Sequence, residues 1–387
     1  MVSIARRNLF ADIPRLLVAQ AGIMFAVSLV TIQTGILEGF TRSTTLVIEN
    51  SPAEVWVASE DMVYLELTSS SLSTEQVDDL LAIDGVELVE PLLLSSNRWN
   101  SERGELTPVR MYGFDPNGTL FNPGPLIEGT RENLNRPLTA IADRANLHSL
   151  GVETVGELAE LNLIFVELAG IVRDSQSIAS STHIYLSLAN TYDYLGLPYV
   201  PADGDSSLPI GPTTYFLLDL ADDADFEQIS EQISTTLPGY LAFPKSEMVS
   251  RTRTYWSDRT GVGFILGMGA VVGVIVGVAI VGQILYSSVS DRLQDYGTLK
   301  AMGADDRMLY GIILRQAVLM AVLGYAPGMA LCLGLSRWAM VSQGVLILIT
   351  PTIAAGVFGL TLAMCSCSAI FAIQKATRVD PSIVFKS

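Results

Sequence analysis

GVGFILGMGAVVGVIVGVAIVGQILYSS (residues 261–288) runs straight into VSDRLQDYGTLKAMGADDRM (289–308), which runs straight into LYGIILRQAVLMAVLGYAPGMALCLGL (309–335). At about 1.5 Å of rise per residue, about 20 apolar residues cross a bilayer core roughly 30 Å thick. Two spans joined by so short a charged turn place that turn at one membrane face. The remainder of the chain is read relative to this unit.

With 387 residues, 49% hydrophobic composition and a mean hydropathy of +0.40, the chain is too apolar for an ordinary soluble protein and too long for one domain. The net charge of −17 is unevenly shared: residues 49–250 hold 32 Asp/Glu against 8 Lys/Arg, whereas the rest holds 8 against 15. The two portions therefore face different compartments. Basic residues beside short span ends mark the cytoplasmic side. Arg6, Arg7 and Arg15 precede the first apolar run, Arg292, Lys300 and Arg307 lie in the turn, and Lys375, Arg378 and Lys386 follow the last run. All three segments are expected in the cytoplasm of a multi-pass membrane protein with both termini inside.

In order, the expected organisation is a cytoplasmic N-terminus (1–15), a first span (16–37), a periplasmic α+β domain (38–260), a second span (261–288), the cytoplasmic turn (289–308), a third span (309–335), a periplasmic loop (336–350), a fourth span (351–373) and a cytoplasmic tail (374–387). The fold class is thus an α-helical membrane protein with four transmembrane helices and a large α+β extracytoplasmic domain inserted between helices 1 and 2. The first run exceeds a secretory h-region and no cleavage pattern closes it, so it reads as an uncleaved span. Within the insert, Glu54 to Ser59, Val86 to Leu94 and Thr107 to Phe114 read as strands. Ser73 caps a helix that keeps Val77, Leu80 and Leu81 on one face. A second strand–helix–strand unit spans Thr213–Leu220, Asp222–Leu237 and Tyr240–Phe243, and the two units together read as a split βαβ sheet. Residues 129–212 read as an inserted lobe with strands near Leu138–Ala142, Leu161–Val172 and His183–Leu186. Residues 245–260 read as a juxtamembrane stalk that extends the second span outward, its Arg251, Arg253 and Arg259, beside Asp258, pairing with acidic groups of the insert.

Gly269, Gly273 and Gly277 recur every four residues in the second span, a spacing that lets another helix backbone approach closely. Cys332, Cys365 and Cys367 fall in the apolar runs and read as packing residues without a disulfide or metal role. No phosphate-binding loop or nucleophile elbow occurs. His148 and His183, the only histidines, lack a Cys or carboxylate at ligand spacing. No catalytic, cofactor or metal site is expected, and no nucleic acid partner. The spans carry almost no ionisable residue, which argues against an autonomous ion-coupled carrier and places the energy source in another chain.

The layout of one span, a large outer domain and three clustered spans resembles the MacB/FtsX-like permeases of ATP-binding-cassette (ABC) systems, whose cytoplasmic signature is similar to Asp291–Ala304. Tyr255–Gly261, Gln283–Tyr286, Thr298–Gly303, Leu323–Gly328 and Ala376–Pro381, together with Gly113–Pro116 and Asp143-Arg144 in the insert, resemble the DevC-type members. The resemblance implies a homodimer in the membrane lipid of a bacterial inner membrane, a separate cytoplasmic ABC ATPase that binds the ATP, a periplasmic membrane-fusion adaptor of the HlyD class and a TolC-like outer-membrane duct. It implies ATPase coupling through Asp291, Arg292, Tyr296, Gly297, Thr298, Leu299, Lys300, Ala301, Met302 and Gly303, with Tyr296, Leu299 and Met302 inserting into the ATPase. The implied activity is export of a lipid-like, glycolipid or peptide cargo by mechanotransmission. The alternatives are an FtsX-like signal relay to a cell-wall hydrolase and a lipoprotein-extraction permease.

Overall fold

The computed structural model describes residues 13–101, 104, 106–177, 179, 181–201, 208–291, 298, 305–343 and 346–377. It divides into two compact units, residues 1–39 with 261–387, and residues 40–260. Among the described residues, four helices are long and apolar enough to cross a membrane: Leu16–Ser43, Val262–Ser287, Arg307–Met340 and Pro351–Ala369.

Helix α1 (Ile13–Ser43) leads into the outer unit. There follow α2 (Leu46–Asn50), β1 (Val55–Ser59), β2 (Leu72–Ser73), α3 (Val77–Leu81), β3 (Val86–Ser101), β4 (Leu106–Phe114), β5 (Leu126–Gly129), β6 (Thr139–Asp143), α4 (Leu147–Leu150), β7 (Leu158–Leu161), β8 (Ile164–Val172), β9 (Thr182–Ser187), α5 (Leu188–Leu195), β10 (Pro212–Thr213), β11 (Tyr215–Leu220), α6 (Phe226–Thr236), β12 (Tyr240–Pro244) and α7 (Lys245–Thr254). Ser73 and Gln76 cap the turn before α3 reciprocally, Ser73 accepting from the Glu75 N–H and Gln76 from the Ser73 N–H. On α3 itself only Leu80 is fully buried. Leu81 is 41% exposed, so the three-residue apolar face expected there is narrower than the pattern implied.

The two strand–helix–strand units share one antiparallel sheet in the order β12-β1-β11-β3. Val55 of β1 lies opposite both Leu218 and Pro244, and Tyr215 of β11 opposite Leu92. Strand β3 is 16 residues long and does not stop at Leu94. Its second half pairs with β4 from Leu93↔Gly113 to Asn100↔Leu106, and its end pairs with β7. The sheet then continues through β9, β6, β8 and β5, with β4–β9 and β6–β8 parallel. The segment read as one strand from Leu161 to Val172 is a hairpin, because Asn162 and Leu163 both adopt positive φ (53° and 67°) and reverse the chain. Buried aromatic side chains fill the sheet's covered faces: Trp56, Tyr112, Phe114, Phe121, Tyr185 and Tyr215 in one cluster and Trp99 in another.

The remaining helices are α8 (Val262–Asp291), α9 (Asp306–Gln343) and α10 (Pro351–Thr377). Pro327 lies inside α9, which continues through it. With α1 they enclose an apolar interior that includes Ile23, Ala26, Val27, Leu285, Ile313, Met320 and Cys365.

Candidate functional site

Helix α1 is the element on which the small residues of the bundle converge. A Cβ at Gly269 would lie 2.7 Å from Gln33 Nε2, one at Gly273 3.1 Å from Leu29 Cδ2, and one at Gly277 2.8 Å from Ala26 and against Met364 of α10. All three glycines therefore face neighbouring helices rather than open space. A second pair approaches α1 from α9. A Cβ at Gly324 would stand 2.5 Å from Ile23, and one at Gly328 3.2 Å from Val27. Their i, i+4 spacing is the same sequence signal as the α8 seam. Without a hydrophobic drive between helices in lipid, such close backbone approach and interhelical hydrogen bonds hold a bundle together. Ser368 donates to the Val278 carbonyl at 3.0 Å, and the Tyr325 hydroxyl to the Ala354 carbonyl at 2.9 Å.

Of the expected coupling segment, Asp291 is the last residue of α8 and Thr298 is helical and exposed. Arg292, Tyr296, Gly297, Leu299, Lys300, Ala301, Met302 and Gly303 lie outside the described residues.

The expected stalk is a helix but not a continuous extension of the second span. Helix α7 passes into one wide turn of π-helix, Tyr255–Arg259, and the chain then breaks at Gly261, whose φ of +74° suits a residue without a Cβ. Arg253 pairs with Glu49 of the outer unit at 2.7 Å. Arg251 pairs with Glu247 of its own helix at 2.8 Å, with its guanidinium 4.6 Å from the centre of the Phe243 ring. Asp258 accepts from Ser257 at 2.7 Å, and Arg259 is exposed without an ion pair among the described residues. Tyr255 stacks on Tyr64 at 4.1 Å, and Trp256 meets Tyr64 and Phe40 edge-on at 5.7 and 5.8 Å.

Beyond this aromatic group, the same loop that carries Tyr64 sends Glu66 into the sheet. The Glu66 carboxylate accepts from the Tyr112 hydroxyl at 3.1 Å and lies 3.1 Å from His183 Nε2. Arg110 reaches its second oxygen at 3.5 Å. His183 Nδ1 faces the Ser175 carbonyl at 3.2 Å, and Ser175 donates through its N–H and hydroxyl to Asp143 at 2.7 and 2.9 Å. Both histidine nitrogens thus face acceptors. The Glu66 and His183 side chains are only 8% and 3% exposed. Burial first, then the Glu66 charge, holds the Tyr112 phenol well above its ordinary range and pushes Tyr64 up to about 12. His183, which lacks a partner at local spacing, has one 117 residues away in sequence. Among the described residues no group of three or more His, Cys, Asp or Glu side chains is placed to hold a metal ion. Beside the cluster opens a cleft of about 210 Å³ lined by Leu65, Glu66, Thr68, Ser70, Arg110 and the Pro212–Thr214 segment that includes β10, among others.

Residues 16–236, more than half of the chain, match the MacB-like periplasmic core domain, and residues 267–381 match the FtsX-like permease C-terminal domain. The chain belongs to the MacB/FtsX-like permeases. No curated protein matches it. Solved structures similar to this permease include the periplasmic region of MacB from Actinobacillus actinomycetemcomitans (11% identity, TM-score 0.38, covering 51% of this chain and 92% of that one). The extracellular domain of the noncanonic ABC-type transporter YknZ from Gram-positive bacteria matches at 14% identity and a TM-score of 0.35, over 49% of this chain and 98% of that one. A domain of a putative permease protein from Porphyromonas gingivalis matches at 16% identity and 0.35, over 51% and 91%. The permease is therefore a multi-pass membrane subunit of the ABC class, with a periplasmic domain set between its first two long helices.

Proposed function

We propose that this permease is the membrane subunit of a tripartite export system and works by mechanotransmission. A separate cytoplasmic ABC ATPase binds and hydrolyses the ATP, and the segment around Tyr296, Leu299 and Met302 receives its motion. The permease acts as a homodimer with both termini and residues 289–308 in the cytoplasm. Its periplasmic domain delivers a lipid-like, glycolipid or peptide cargo to a membrane-fusion adaptor and an outer-membrane duct.

The observation that carries this reading is the chemistry of the bundle interior. Its buried polar side chains among the described residues are uncharged, Thr31, Gln316, Thr361 and Ser368, and Arg315 of α9 is exposed. A chain driving transport with its own ion gradient needs ionisable groups inside the membrane, where they are costly and kept for function. A bundle seamed by glycines, with no buried charge among its described residues, suits transmission of force supplied elsewhere. The test is purification of the tagged protein from gently solubilised membranes. Recovery of an ABC ATPase together with a membrane-fusion adaptor supports export. Recovery of the ATPase with a peptidoglycan hydrolase and no adaptor overturns it in favour of a signal relay.

A further inference from the structure

We infer that the cleft between the Leu65–Ser70 loop and strands β3, β4 and β10 binds a carboxylate carried on a short aliphatic stem, with Arg110 as its anchor. The cleft's volume of about 210 Å³ corresponds to about seven waters at roughly 30 Å³ each, enough for a short acid or the last residue of a peptide and too little for a long acyl chain. Its lining has two parts. Leu65, Leu93, Leu94 and Pro212 supply apolar surface, and Arg110 and Glu66 with Thr68, Ser70, Thr213 and Thr214 supply the polar part, in which Arg110 is the one cation.

Arg110 sets the ligand's charge. Among the described residues only its Nη2 is bonded, at 3.4 Å to the Glu66 carbonyl and 3.5 Å to the Glu66 carboxylate, at the long limit of a hydrogen bond. Its Nε is buried without a partner. Glu66, meanwhile, already has closer partners in Tyr112 and His183 at 3.1 Å. The guanidinium is thus a permanent cation with a weakly held fork and an orphaned donor, an arrangement that a buried polar group tolerates only where something else satisfies it. A planar carboxylate matches that fork with two parallel hydrogen bonds. A doubly charged phosphate fits worse, because the Glu66 carboxylate lies within reach of the same guanidinium and no second cation lines the cleft.

The test is calorimetric titration of the full-length protein in detergent micelles with the tripeptide Ala-Ala-Leu, its C-terminal amide, and butanoate. The free acid should bind saturably, and the amide at least tenfold more weakly. Arg110→Gln should weaken the free acid at least tenfold, and Arg110→Lys by less. Ser70→Trp, at the exposed mouth, should abolish binding with the guanidinium intact, which guards against a folding defect in the Arg110 variants. A peptide that binds more tightly than butanoate assigns the site to a peptide terminus; equal affinities assign it to a small acid. Absence of binding by both acids, equal binding of acid and amide, or undiminished binding by Arg110→Gln overturns the proposal. Binding is read on the permease alone, so the outcome is separate from whether the protein exports anything.

Discussion

Replacing Glu66 with alanine should release the Tyr64–Ser71 loop from the sheet while leaving the rest of the periplasmic domain folded. The loop's other anchors sit at its ends and on its backbone: the Tyr215 hydroxyl donates to the Leu65 carbonyl at 2.6 Å, the Leu65 N–H reaches Thr252 at 3.5 Å, Arg110 reaches the Glu66 carbonyl at 3.4 Å, Tyr64 stacks on Tyr255, and Ser71 bonds the Tyr240 hydroxyl through its N–H at 2.8 Å and its hydroxyl at 3.0 Å. Removing the carboxylate leaves the buried Tyr112 hydroxyl and His183 Nε2 without it as acceptor, at about 1–3 kcal/mol each. It also strips Arg110 of its counter-charge. That contact is long, at 3.5 Å, and the guanidinium side chain is 22% exposed, so its loss adds little. We therefore expect the opening free energy of this loop to fall by about 3 kcal/mol, a roughly hundredfold rise in opening at about 1.4 kcal/mol per decade. Hydrogen exchange followed by mass spectrometry on the full chain reads it directly. The Val63 and Leu67 amides, bonded to the Leu67 and Tyr64 carbonyls at 3.1 and 2.9 Å, are the reporters. Glu66→Gln keeps an acceptor for Tyr112 and should lose much less protection. If these amides in Glu66→Ala exchange within threefold of wild type, the loop is not held by this cluster and the reasoning fails.

Tyr64 has a folded-state pKa of about 12 against 10.0 for the free side chain. The unfolded chain therefore gives up this proton first, so the domain's stability should decline between about pH 10 and 12, with Tyr112 adding to the loss; tryptophan fluorescence across alkaline pH checks the sign, and Tyr64→Phe should flatten part of the decline. Gly277→Val should lower the unfolding temperature in detergent through a cost of about 1–3 kcal/mol, because its side chain meets Ala26 and Met364, whereas Gly267→Ala, with no atom within 4 Å of its Cβ, should be silent. Alanine at Tyr296, Leu299 and Met302 together should abolish stimulation of the partner ATPase with the permease still folded; stimulation that survives removes the coupling role.

What the sequence revealed, and what it hid, follows the range of the interactions. A membrane helix must satisfy its own backbone and bury its flanks in lipid, so about 20 apolar residues are a complete local signal, and the four long helices could be read directly. The paired strand–helix–strand units were legible for the same reason, through alternation and caps such as Ser73. The second half of β3 was not, because Ser95, Ser96, Asn97 and Arg98 look like a loop until β4 is seen pairing with them. The break at Gly261 hides in a run of glycines, several of which serve packing instead.

The Glu66 cluster had no local signal at all, since its members come from the 60–71 loop, β4 and β9, and only the sheet brings them together. Yet its position in the chain matters. Tyr64 rests on Tyr255 and Trp256 at the end of the juxtamembrane helix, Leu65 is bonded to Thr252 of that helix, and Glu66, the next residue, faces Arg110 in the cleft. Three consecutive residues, Tyr64 to Glu66, thus join the contacts of the α7 end to those of the guanidinium, non-covalent at both ends. The peptide planes along that stretch are stiff, and the side chains at both of its ends are packed. A change in how Trp256 seats bears on the Tyr64 stack and, through Leu65, on the Glu66 contacts, of which those to Arg110, at 3.4 and 3.5 Å, are longer than those to Tyr112 and His183 at 3.1 Å.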